Sequence, residues 1–206
     1  MSRISENLAQ VLGRLHTLLI DGDESNPVYG WKDMTADLSA GRAVGANAPN
    51  WATFRDGISA YSFSDTTMNE IWITFHPNHD SIEGEDFFFH VHWAPNTTDT
   101  GVVRWGIEYS IAKGFDQEAF PATTTFYMEE TIAADKQYQH IITEATEAQG
   151  IPMPEVDSLV LIRVFRDAAD AADTFPADVF GLTADIHYRT GRFSTIGKRP
   201  NFNEKD

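Results

Sequence analysis

Two runs of strict alternation between apolar and polar side chains constrain this chain more than any other feature. In Phe87–Trp93, Phe87, Phe89, Val91 and Trp93 share one face, while Phe88, His90 and His92 share the other. In the second run, Val103, Trp105 and Ile107 alternate with Arg104, Gly106 and Glu108. Aromatic and β-branched side chains at period 2 suit a pleated surface that is buried on one side. A polar linker, Asn96-Thr97-Thr98-Asp99-Thr100-Gly101, lies between the runs. The pattern predicts an antiparallel hairpin of Phe87–Trp93 and Val102–Tyr109 at the centre of a β-rich fold.

Further strands are expected on both sides. Ile58–Ser64 alternates, and Asn69–His76 puts Ile71, Ile73 and Phe75 on one face. Thr123–Glu129, Gln137–Thr143, Ser158–Arg166 and Val179–Thr190 complete the set, with turn residues between them. Short strands without long intervening helices indicate a sandwich, a jelly roll or a barrel. A helix is expected over Ser5–Leu19, where Leu8, Val11, Leu12, Leu15, Leu18 and Leu19 recur at helical spacing. From Tyr29 to Phe54 there is no sustained period, and Gly41, Gly45 and Pro49 interrupt it. This stretch reads either as an extended arm along a neighbouring chain or as a long loop around its own domain. The expected division is a helix and arm in residues 1–56, a sandwich in 57–190 and a tail in 191–206.

The 206 residues carry a formal net charge of −16, which disfavours nucleic-acid phosphates as partners and favours solubility. There is no cysteine, so disulfides, thiolate nucleophiles and cysteine-ligated zinc are excluded. The apolar run Val11–Ile20 is broken by Arg14 and His16, and is not expected to act as a targeting segment. No stretch approaches the length of a membrane-spanning helix, so no membrane partner is expected.

The sharpest chemical signal is the pair His90 and His92, two residues apart on one strand face and thus able to share a metal. With Gly84 they match the G-x5-H-x-H opening of the first cupin motif, but Asn96 and Thr97 stand where its glutamate ligand is due. His187 and the His76-Pro77-Asn78-His79-Asp80 segment are further candidates. The plainer reading is of structural histidines bonded to sheet neighbours or carboxylates, with no metal or other cofactor. No G-x-S-x-G elbow or glycine-rich phosphate loop is present. Close acid pairs such as Glu83/Glu85 and Glu129/Glu130 are expected by chance among 31 acidic residues.

The run WKDMTADLSAGRAVGANAPNWATFRDGISAYSF resembles a segment of virion proteins of tailed bacteriophages. So do FHPNHDSIEGEDFFFHVHW, WGIEYSIAKGFDQEAF, Gln137-Tyr138-Gln139-His140 and the closing IGKRPNF, in the same order. The resemblance spans roughly residues 29–203 and brings no catalytic signature. It implies a non-enzymatic capsid decoration (cement) protein on the virion's capsid surface, with the major capsid protein and its own copies, as a homotrimer, for partners. The fold expected with it is an all-β, antiparallel, jelly-roll-like sandwich with an N-terminal helix and extended arms at both ends. Trp31, Lys32, Asp33, Arg42, Trp51, Phe54, Arg199 and Phe202 are the expected interface residues. One alternative is a head-fibre or tail component that stacks host glycans on Trp31 or Trp51. Another is a cupin-like metalloenzyme that uses His90 and His92 with His79 or His187.

Overall fold

The alternating runs become the strands of two antiparallel sheets in a computed structural model, which describes residues 30–43, 45–191, 194–200 and 202. The expected helix over Ser5–Leu19 lies outside the described residues. In chain order the strands are β1 (Gly30–Ala36), β2 (Asn50–Arg55), β3 (Ile58–Phe63), β4 (Asn69–Phe75), β5 (Asp86–Pro95) and β6 (Gly101–Lys113). They continue as β7 (Thr124–Ile132), β8 (Ile141–Glu144), β9 (Ile151–Pro152), β10 (Ser158–Arg166) and β11 (Val179–Thr190). The larger sheet runs β2-β3-β11-β5-β8, with β1 also on β11 and β9 also on β5; the smaller runs β4-β10-β6-β7. Setting β1, β2 and β9 aside leaves β3-β11-β5-β8 facing β4-β10-β6-β7, the strand order of a jelly roll. The expected antiparallel β-sandwich is therefore the observed fold.

The expected central hairpin is not formed. β5 pairs with β11, β8 and β9, whereas β6 pairs with β10 and β7, so the two strands lie in opposite sheets. Alternation identifies an apolar face but not whether the neighbouring run lies beside it or across from it. Here both faces are strongly aromatic and they meet across the interior, where the rings of Trp93 and Trp105 stand edge to face, 6.1 Å apart. The polar linker is thus a crossing between sheets. Phe63, Phe87, Phe89, Val91, Ile71, Ile107, Val160 and Ile186 fill the same interior.

Of the two readings of the stretch that ends at Phe54, the one that lays it on its own domain holds, as strands rather than as a loop. Every residue of β1 pairs with β11, from Gly30↔Thr190 to Ala36↔Ala184, and β2 pairs with β3. Between them a short 3-10 turn at Leu38–Ala40, capped by Asp37 accepting from Ser39 N–H at 2.8 Å, inserts the fully buried Leu38 into the core. In β1, Met34 is the one buried side chain, so the strand carries no alternation for a pattern search to find. The sandwich accordingly begins by residue 30 rather than at 57. The described part of the tail also folds back: Thr195 N–H donates to His79 O, and Ile196 and Gly197 N–H donate to Phe202 O.

Candidate functional site

The outer face of the larger sheet gathers four histidines and three carboxylates. Strand register does this directly, because residues opposite one another in a ladder share a face. Asp185 of β11 stands opposite His90 of β5, which on its other side stands opposite Glu144 of β8. One step along, Asp33 of β1 faces His187 of β11. His92 follows His90 on the same face, and the turn before β8 carries His140 to it. Phe87, Phe89, Val91 and Trp93 take the inward positions of β5, so the histidines point away from the packed interior.

Two groups of distances organise the cluster. Asp185 Oδ2 lies 3.5 Å from His90 Nε2 and 3.3 Å from His92 Nε2. His92 Nδ1 shares a 2.6 Å hydrogen bond with His140 Nε2, and their rings are stacked with centroids 4.8 Å apart. His187, whose ring centroid is 4.2 Å from that of His90, has Nε2 2.8 Å from Asp33 Oδ1 and Nδ1 bonded to Glu144 Oε1. His90 exposes 2% of its side chain and His92 15%. Burial holds both imidazoles below the ordinary histidine range; the charge of His187 lowers His90 further, while that of Asp185 opposes the shift at both. His90 Nδ1 and His92 Nε2 are buried without a hydrogen-bond partner. Two sets of three side chains have ligand atoms close enough for one cation, His90/His92/Asp185 and Asp33/His90/His187.

Of the residues singled out in the sequence, His90, His92 and His187 come together. His79 does not join them; its Nδ1 bonds Thr195 Oγ1 at 2.6 Å, and with His76 it faces Asp157. Asp185, Glu144 and His140 were missed as site residues. No spacing rule marks them, because they reach the cluster through non-local pairing.

The expected interface residues do not form one patch. Trp31, 51% exposed, stands edge-on to half-buried Phe88 beneath the Arg189 guanidinium. Lys32 is paired with Asp80, Asp33 with His187, and Arg42 bridges to Trp72 through the backbone. Trp51, 56% exposed, packs edge-on to Tyr61. Phe54 lies against Tyr138 and Phe180. Arg199 is exposed. Phe202 is a correction, since it is buried against His79 and Phe115 of its own domain and presents no free surface. Beside the histidines, Trp31, Phe88, Glu144, Ala145, Glu147 and His187 line an open cleft of about 370 Å³.

The sequence matches no protein-family model and no curated protein. Among solved structures it is similar to the CBM36-1 domain of a multidomain xylanase from the hindgut metagenome of Trinervitermes trinervoides. That match has a TM-score of 0.40 and 8% identity, over 75% of this chain and 96% of that one. It is also similar to the CBM22-2 xylan-binding domain from Paenibacillus barcinonensis Xyn10C, with a TM-score of 0.33 and 12% identity over 83% and 94% of the two chains. A third likeness, to the CBM22-1–GH10 modules of a Clostridium thermocellum xylanase complexed with xylohexaose, has a TM-score of 0.32 and 10% identity over 82% and 28%. At TM-scores below 0.5, none of these likenesses assigns a property to this chain.

Proposed function

We propose that the chain is a non-catalytic structural protein of a tailed-bacteriophage virion, a capsid decoration protein that bridges subunits of the major capsid protein as a homotrimer. One observation carries this reading: the segments that resemble virion proteins, far apart in sequence, are joined to one another in the fold. Lys32 of the Trp-Lys-Asp segment pairs with Asp80 of His-Pro-Asn-His-Asp. The neighbouring His79 packs against Phe202 of the closing Pro-Asn-Phe, as does Phe115 of the Ala-Lys-Gly-Phe turn. His92 of His-Val-His-Trp bonds His140 of Gln-Tyr-Gln-His, and Gln137 of that segment donates to Asn96 O at 2.8 Å. Residues spent on fastening strands, turns and tail to one another hold a shape, which is what a protein acting by surface contact requires. The exposed Trp51 and Ile58 on the β2–β3 hairpin supply apolar contact for a neighbour.

Quantitative mass spectrometry of purified virions tests the proposal by scaling this chain against the major capsid protein. A ratio of one per one to a few capsid subunits is expected, and absence from the particle overturns it. A handful of copies would place the protein at the tail or a vertex instead.

A second reading, glycan binding, is favoured by the half-exposed Trp31 ring beside the cleft that also holds Glu144, Glu147 and His187. Trp31→Ala should then abolish retention on host surface polysaccharide; unchanged retention, or none by the unaltered protein, removes this reading.

A further inference from the structure

We propose that His90, His92 and Asp185 form a binding site for one first-row divalent transition-metal ion, fastening β5 to β11 on the outer face of the larger sheet. The inference stands on this cluster alone and is independent of the virion reading.

Distances carry it first. Metal–nitrogen and metal–oxygen bonds of about 2.0–2.2 Å in a tetrahedron separate neighbouring ligand atoms by about 3.4 Å. Asp185 Oδ2 stands 3.3 Å from His92 Nε2 and 3.5 Å from His90 Nε2. The three ligand atoms all lie within 4.8 Å of one another. The set is therefore close to the spacing a bound ion imposes.

An unpaired atom carries it second. His92 Nε2 is buried and makes no hydrogen bond, although Asp185 is near. A buried imidazole nitrogen without a partner is unfavourable, and a cation accepting the His92 Nε2 lone pair would relieve it.

Support from the surrounding side chains is the third argument. Metal-bound histidines usually donate their other ring N–H to an acceptor, which fixes the tautomer. The His92 Nδ1···His140 Nε2 bond does this when His92 Nδ1 holds the proton, leaving Nε2 as the lone pair toward Asp185. Thr183 Oγ1 lies 3.5 Å from Asp185 Oδ1, on the oxygen away from the histidines. Asp33 and Glu144 add negative charge nearby without being needed as ligands. The competing set, Asp33/His90/His187, is less suited, because His187 Nε2 and Asp33 Oδ1 stand 2.8 Å apart, a direct ion-pair distance shorter than the tetrahedral spacing, and Asp33 is largely exposed. Two imidazoles and one carboxylate, with a position left for water, suit zinc, cobalt(II) or iron(II) rather than calcium or magnesium.

The test uses the full chain without a histidine tag, stripped with chelator and dialysed. Titration with Co²⁺, followed by visible d–d absorption, and with Zn²⁺, followed by elemental analysis, should saturate at one equivalent. His92→Asn and Asp185→Asn should each weaken Co²⁺ binding by at least about 100-fold, and His140→Ala by about 10-fold. Circular dichroism establishes that each variant is folded, and the partly exposed His92 gives the more tolerant substitution if Asp185→Asn fails. A folded, unaltered protein that binds no stoichiometric metal overturns the proposal. So does binding that survives His92→Asn but is lost in His187→Asn, which would assign the ion to the other set.

Discussion

Arg166 and Asp173 form a two-pronged ion pair inside the sandwich, with Nε–Oδ2 and Nη2–Oδ1 distances of 2.8 and 2.9 Å. Their side chains are exposed by 0% and 1%. The remaining guanidinium protons are also taken: Nη1 donates to Ala177 O at 2.8 Å and Phe63 O at 3.3 Å, and Nη2 donates to Phe175 O at 2.9 Å. One side chain thereby ties the end of β10, the loop into β11 and the end of β3 together. Removing one member leaves the other charge buried and uncompensated. Asp173→Asn should therefore cost about 3–5 kcal/mol, read as a lower urea midpoint with an unchanged slope.

Gly106 is set by a close approach. It stands opposite Phe165 in the β6–β10 ladder, and a Cβ at 106 would lie 2.1 Å from Phe165 Cζ. Tyr127 and Arg163 hem in the Phe165 ring, so it has little room to yield. Gly106→Ala should cost about 1–3 kcal/mol by overpacking. Adding Phe165→Leu should recover part of that loss in a double-mutant cycle. Gly57→Ala, where the new Cβ meets nothing within 4 Å, serves as the near-neutral control.

Residues 30–54 belong to the domain itself. Deleting them removes β1, most of β2 and the buried Leu38, so the truncated chain should lose cooperative thermal unfolding and near-ultraviolet dichroism. Leu38→Ala alone should cost about 2–5 kcal/mol. A truncated chain that still unfolds cooperatively would show that the sandwich stands without these strands.

Asp80 makes stability depend on acid. Burial pushes its carboxyl up, but hydrogen bonds from Lys32, Thr190 and Tyr188 together outweigh this and hold it below the ordinary value of 3.8. Its folded-state pKa is depressed, so its stabilising contribution is fully present above the unfolded-state value and is lost as pH falls through the folded-state one. Asp80→Asn should lower the urea midpoint at neutral pH through weaker hydrogen bonds to Thr190, Tyr188 and Lys32. It should also flatten the stability profile between about pH 5 and pH 3, measured by urea unfolding at each pH.

Which residues share a face within each long strand follows from the order of side chains alone. The pattern predicts strands over Ser158–Arg166 and Val179–Thr190, the bounds they have, and turns His90 and His92 one way. These are consequences of the period of the extended backbone, which is local. Partnership between strands was decided by the tertiary structure. Nothing in Phe87–Trp93 or Val102–Tyr109 says that their apolar faces meet across the interior instead of lying side by side. β1 was invisible because a strand with one buried residue leaves no alternation. The histidine cluster shows the same division. Its two members on β5 were legible, whereas Asp185, Glu144 and His140 reach it through strand pairings and a turn that close loops of roughly fifty to one hundred residues. Such pairings depend on the burial of the whole core, and no local pattern records them.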